Sequence, residues 1–309
     1  MGKIAFLFAG QGSQYPGMAK DLYEEVSDVK DFFDAADALR PGTLEQMFTG
    51  SEEVLKRTDN TQPCLFLADI AGAIALLSKG VKPDAFAGFS LGEIVALAIS
   101  GTMPNDEAFR LVCKRGELMQ SAAEKEKGSM IAVMRMDKNN LEELCKEEGV
   151  FPVNYNCPGQ IVVSGRALNI EKLKDKLTEK KVRFVPLSVG GPFHTPYMEE
   201  ASWKLKNEAD STMSGFISKA DIPLYSNKTA MPYPEDAEEI IDTFSAQISN
   251  SVRWEETIRN MNAEGIDTFV ECGPGKTLTG FVRRIVPEAT TYNVNDVESL
   301  NNVLKELKK

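Results

Sequence analysis

Apolar and polar positions along this chain follow two rhythms, and the switch between them divides it. In the first 125 residues, short apolar runs at 4–9 and 85–88 read as buried strands. Helical patterns cover 18–26, 29–39, 62–79, 91–100 and 105–125, the last opened by an Asn105 cap ahead of Asp106 and Glu107. Strands alternating with helices predict a parallel sheet covered on both faces. From Gly128 the pattern becomes strands at 130–135, 151–156, 160–164 and 182–189, with helices at 139–148 and 170–180. That βαββαβ order belongs to a ferredoxin-like unit. After Pro192 the first rhythm returns, with helices near 197–211 and 234–248 and a strand at 268–271 before the loop Gly273-Pro274-Gly275. The expected fold class is α/β: a large domain of residues 1–126 and 191–309, built on a parallel sheet, with a ferredoxin-like subdomain inserted at 127–190.

Composition narrows the function. The 309 residues carry 35 Lys plus Arg against 46 Asp plus Glu, a net charge of −11. That balance argues against a nucleic-acid binder, which needs a concentrated basic surface. The longest apolar stretch, 64–77, contains Asp69 and falls short of the roughly 20 residues of a membrane span. Residues 4–10 are too short an apolar run for a signal peptide and are followed at once by polar residues 11–14. Cys64, Cys113, Cys145, Cys157 and Cys272 are odd in number, scattered, and form no C-x-x-C pair. They read as reduced thiols of a cytoplasmic protein, and with a single histidine in the chain no zinc site is expected.

The sharpest local signal is Gly88-Phe89-Ser90-Leu91-Gly92, placed where an apolar strand meets a helix. Small residues on either side of a serine permit a sharp strand-to-helix turn that lifts the hydroxyl clear of the sheet. The same residues would also serve as a Gly-rich turn with Ser90 as a helix cap. If Ser90 is a nucleophile activated by an imidazole, His194 must supply it, because the chain has no other histidine. The loop Gly10-Gln11-Gly12-Ser13-Gln14 fails the dinucleotide pattern, since Tyr15 stands where the third glycine belongs. It is either a plain βα turn or a source of backbone N–H groups for an oxyanion. Arg115, within a helix, is either a solvated charge or a guanidinium that enters the cleft to grip a carboxylate. Gly275-Lys276-Thr277 imitates the end of a phosphate-binding loop, but Val270 occupies the position of its first glycine.

Taken together, the chain resembles the malonyl-CoA:acyl-carrier-protein transacylase family, shared with acyltransferase domains of polyketide synthases. The resemblance rests on FLFAGQGSQ at 6–14, TQPCLF at 61–66, GFSLGE at 88–93 and RGELMQ at 115–120. It continues with NYNCPGQIVVSG at 154–165, GPFHTPYM at 191–198 and ECGPGKTLTG at 271–280. It implies an α/β-hydrolase-like large domain with the ferredoxin-like insertion. It implies Ser90 as the acyl-carrying nucleophile, His194 as its base, and the main-chain carbonyl of Gln247 as the group that orients His194. By the same resemblance Arg115 pairs with the malonyl carboxylate, and the N–H groups of Gln11 and Leu91 form the oxyanion hole. The substrates it implies are malonyl-CoA and the phosphopantetheine thiol of an acyl carrier protein, with no metal or redox cofactor. Apart from the resemblance, a monomer without nucleic-acid or membrane partner is expected. Phe89 departs from the family's usual histidine before the nucleophile, and Ala9 from the usual proline before GQG.

Other readings remain at this level. A free-standing polyketide acyltransferase of broader extender range would keep the same residues. A serine esterase or thioesterase would place its histidine nearer the C-terminus. An inactive docking protein would have no need of Ser90, His194 and Arg115 together. Lys180, Lys181, Arg183, Lys276, Arg283 and Arg284 could form a basic rim for an acidic carrier.

Overall fold

The computed structural model describes residues 2–307, so the first residue and the last two of the expected large domain lie outside it. In chain order the strands are β1 (Lys3–Phe8), β2 (Ala85–Gly88), β3 (Gly128–Met134), β4 (Phe151–Cys157), β5 (Gln160–Arg166), β6 (Phe184–Pro186), β7 (Leu224–Tyr225), β8 (Ile266–Cys272) and β9 (Thr290–Val294). Five of them form a parallel sheet in the order β7-β2-β1-β8-β9. Strand β1 is central and buried from Ile4 to Phe8, as its unbroken apolar run requires when helices cover both faces. At its end Phe8 pairs with Gly88 on one side and Cys272 on the other. The loops 9–14, 89–90 and 273–275 therefore leave the sheet side by side at its C-terminal edge, where parallel sheets bind ligands.

The remaining four strands make an antiparallel sheet in the order β4-β5-β3-β6, the ferredoxin-like arrangement. Alternation along β3 sends its side chains two ways. Ile131 and Val133 pack with Leu141, Leu144, Ile170 and Leu173 of helices Lys138–Glu148 and Ala167–Glu179. Met130 and Ala132 join the core of the large sheet instead. This small sheet thus lies against the large unit with its apolar face, beside the loop that follows β1.

Several expected elements differ. Helix Asn105–Lys125 begins at Asn105 itself; Pro104 holds the cap position, and no side chain caps the helix. The strand expected at 182–189 is only Phe184–Pro186 long, because the chain beyond Leu187 turns away through Gly190-Gly191-Pro192 toward His194. The expected helix 62–79 starts earlier, as Thr58–Ser78, and is long and apolar enough by length and composition to cross a membrane. Here it is the core helix, buried at every position from 61 to 73. Strands β7 and β9 were not apparent, because β7 has two residues and β9 is partly exposed.

Candidate active site

The turn between β2 and helix Leu91–Ile99 holds Ser90 at φ 52° and ψ −100°, a conformation that costs a non-glycine residue on the order of 1–3 kcal/mol. Its neighbours must be small. A Cβ on Gly88 would lie 1.9 Å from the Gly92 carbonyl carbon, and one on Gly92 would lie 2.3 Å from the Phe8 oxygen. Asn227 pins the strained turn from both sides. Its Oδ1 accepts the Ser90 N–H at 2.7 Å, and its Nδ2 donates to the Gly88 carbonyl at 2.6 Å. Ser90 stands at the cap position but forms no side-chain cap bond. Its hydroxyl instead faces His194, with Oγ 2.9 Å from Nε2.

His194 is buried and likewise held at positive φ, 62°, with its N–H bonded to the Ile248 carbonyl at 3.0 Å. Its Nδ1 lies 3.0 Å from the Gln247 carbonyl and 3.1 Å from that of Asn250. Two acceptors at Nδ1 assign the proton to that nitrogen, which leaves the Nε2 lone pair facing the Ser90 hydroxyl. Burial, followed by the positive charge of Arg115, pulls the imidazole down from 6.5 to about 4. The ring is therefore neutral near pH 7 and free to accept a proton.

Arg115 is not a solvated charge: it is fully buried, one of the largest side chains in the core. Nη1 donates to Gln62 Oε1 at 2.9 Å, and Nη2 donates to Gln247 Oε1 at 2.7 Å and to Ser90 Oγ at 3.1 Å. Burial lowers the guanidinium to about 10, against the pull of Glu93, so it stays cationic. Gln247 joins the parts, since its Nε2 reaches both the Ser90 carbonyl at 2.6 Å and Glu93 Oε2 at 2.9 Å. Glu93, also fully buried, accepts in addition from the Tyr233 hydroxyl and, at 3.1 Å, from the Asn227 N–H.

The other two expected residues lie on adjoining elements. Leu91 opens the helix after Ser90, with its N–H in the first, unpaired turn. Gln11 follows β1 and lines a cavity of about 240 Å³ together with Phe89, Asn154, Asn156, Gln160 and Phe281. Phe89 stacks edge-on against Trp254 at 5.4 Å between ring centroids, so it points into packing rather than to the Ser90 hydroxyl. Asn154 and Asn156 are buried, and their Oδ1 atoms have no hydrogen-bond partner among the described residues. Such atoms carry an unmet demand for a donor. Among the described residues, no group of three His, Cys, Asp or Glu side chains is placed to hold a metal.

Sequence reasoning did not single out Gln62, Glu93, Asn227, Tyr233 or Asn250. Glu93 left a trace, because it is the lone charge in the apolar helix LGEIVALAI, where a carboxylate survives only if bonded. Asn227 lies in a loop with no pattern and is visible only in three dimensions.

Fold and site together define an enzyme of acyl transfer. The family model described as the acyl transferase domain matches residues 5–308, and the chain belongs to that family. The malonyl CoA-acyl carrier protein transacylase of Bacillus subtilis (strain 168) is 41% identical over 315 residues, spanning 100% of this chain and 98% of that protein. The crystal structure of malonyl CoA-acyl carrier protein transacylase from Clostridium perfringens is similar at a TM-score of 0.93 with 37% identity, covering 99% of this chain and 97% of that one. A malonyl-transacylase solved in complex with its type II polyketide synthase acyl-carrier protein matches at a TM-score of 0.93 and 34% identity, covering 98% and 99%.

Proposed function

We propose that this enzyme transfers malonyl from malonyl-CoA to the phosphopantetheine thiol of an acyl carrier protein, for fatty-acid or polyketide synthesis, through a malonyl ester on Ser90. The observation that carries this reading is the double engagement of the Ser90 hydroxyl, by the lone pair of His194 at 2.9 Å and by the Arg115 guanidinium at 3.1 Å. A base beside the hydroxyl makes a nucleophile. A buried cation at the acyl end serves an acyl group with its own carboxylate and has no use for a simple ester.

In the first half-reaction Ser90 Oγ bonds to the thioester carbon while its proton passes to His194 Nε2. The oxyanion forms against the N–H groups of Gln11 and Leu91. The C–S bond then breaks, and His194 returns the proton to the CoA sulfur. In the second half-reaction the carrier thiol gives its proton to His194 and attacks the ester, and Ser90 leaves with the proton restored. The Gln247 carbonyl keeps the His194 tautomer in place throughout. No metal or other cofactor takes part; CoA and the pantetheine arm are substrates. The cavity beside Gln11, lined also by Asn154, Asn156 and Gln160, suits a pantetheine arm with its amides.

The division into a catalytic unit of 1–126 and 191–309 and a covering unit of 127–190 belongs to the same reading, supported by the two separate sheets. So do a cytoplasmic setting, supported by five free thiols, and the lack of a nucleic-acid partner, supported by the acidic charge balance, together with the expected monomeric state and absence of a membrane partner. A basic rim that steers an acidic carrier belongs to the same reading, supported by Arg284, which donates to the Pro158 carbonyl at the β4–β5 turn. Intact-protein mass spectrometry after mixing with malonyl-CoA tests the reading. The expected result is one malonyl adduct, absent from Ser90→Ala and cleared by acyl carrier protein. CoA release without an adduct would instead identify a hydrolase.

A further inference from the structure

Glu93 has no task in the transfer, yet among the described residues it is the one carboxylate wired to Arg115. The connection runs through a single amide: Gln247 Oε1 accepts from Arg115 Nη2 at 2.7 Å, and Gln247 Nε2 donates to Glu93 Oε2 at 2.9 Å. Both charged side chains are fully buried. One cation and one anion balance while the acyl site is empty. A malonyl carboxylate on Arg115 adds a second anion, and two buried anions around one buried cation are strongly disfavoured.

We infer that Glu93 is a positioning residue that sets the charge of the acyl site: ionised while the site is empty, and protonated when a malonyl carboxylate takes over Arg115. The inference rests on the proposed role of Arg115. Malonyl loading then takes up a proton that acetyl loading does not, and selectivity for the dicarboxylic acyl group depends on pH.

The groups that face Glu93 support this. Tyr233 and Gln247 donate to its carboxylate, as does the Asn227 N–H, and Arg115 attracts it from helix Asn105–Lys125. His194 enters only through Arg115 and Ser90. The neighbouring helix Thr58–Ser78 directs Asp69 toward Gly273 and Glu271, away from this cluster. Burial outweighs the donors and raises Glu93 from 4.5 to about 7, so a proton is within reach at ordinary pH.

The test is the ratio of malonyl to acetyl loading of Ser90, measured in single turnovers from about pH 6 to about pH 9. Titration of His194 and of CoA affects both substrates and cancels in the ratio. The ratio is expected to fall with rising pH, approaching about tenfold per pH unit, the limit for one proton. Glu93→Gln keeps the shape, and Tyr233 can accept as well as donate, so this variant is expected to give a ratio independent of pH. Tyr233→Phe removes a donor that favours the anion and is expected to move the fall to higher pH. A flat wild-type ratio, or an unaltered profile in either variant, overturns the proposal while leaving Ser90 acylation intact. Absence of any adduct from both thioesters overturns it together with the reading on which it rests.

Discussion

Removing the Arg115 guanidinium separates carboxylate recognition from acyl chemistry. In Arg115→Ala the malonyl carboxylate loses its buried cationic partner. Truncating one member of such a pair costs about 2–5 kcal/mol, and the middle of that range corresponds to a loss of roughly 10²–10³-fold in malonyl loading. Acetyl has no carboxylate, and what it forfeits directly is the bond from Arg115 Nη2 to Ser90 Oγ, at 3.1 Å. A net value of about 1.5 kcal/mol, the lower end for a bond to a charged group, predicts a loss of roughly 10-fold for acetyl. The assay is rapid-quench loading of Ser90 from each thioester, read by intact mass, with circular dichroism to confirm that the variant folds. Because Gln62 and Gln247 lose their partner in the same variant, part of the damage is common to both substrates. The ratio isolates the carboxylate. Equal losses for malonyl and acetyl would refute the role of Arg115.

Two further predictions follow from buried titratable groups. With His194 held at about 4 by burial and by Arg115, acetyl loading at pH 5 should stay within about twofold of that at pH 8. An unperturbed imidazole would give a roughly 30-fold drop over that interval, and such a drop in stopped-flow loading would refute the assignment. Asp69, fully buried beside Glu271, binds its proton far more tightly folded than unfolded; the nearby Ala9 N–H forms no well-aligned bond to it. A carboxyl raised on folding stabilises the fold fully below its unfolded value of 3.8, and that contribution is lost as pH rises through the folded value. Relative to wild type, Asp69→Asn should therefore gain about 1.4 kcal/mol of stability per pH unit above about pH 4 in urea melts. A stability difference that does not change between about pH 5 and about pH 8 would contradict this reading of Asp69.

Much of this protein is legible from its sequence. The apolar runs 4–9 and 85–88, interleaved with helical stripes, require a parallel sheet because strands without a polar face must be buried on both sides. After Gly128 short strands alternate with amphipathic helices in the order βαββαβ, which defines a ferredoxin-like unit. Ser90 was legible because its turn is a local steric problem, solved by Gly88 and Gly92 within the same pentapeptide. His194 was legible because the chain offers no other imidazole.

What tertiary structure alone decided are the facts that depend on distance and dielectric. Sequence left Ser90 between nucleophile and helix cap, and Arg115 between surface charge and ligand. Folding removes both ambiguities by placing Ser90 Oγ against His194 Nε2 and by burying the guanidinium among Gln62, Ser90 and Gln247. Asn227 lies 137 residues from Ser90 along the chain, and Gln247 lies 154 from Glu93. No local pattern records pairings across such separations. The shifted protonation of His194 and Glu93 has the same origin, since burial raises the free energy of a charge only where the fold has excluded water around it.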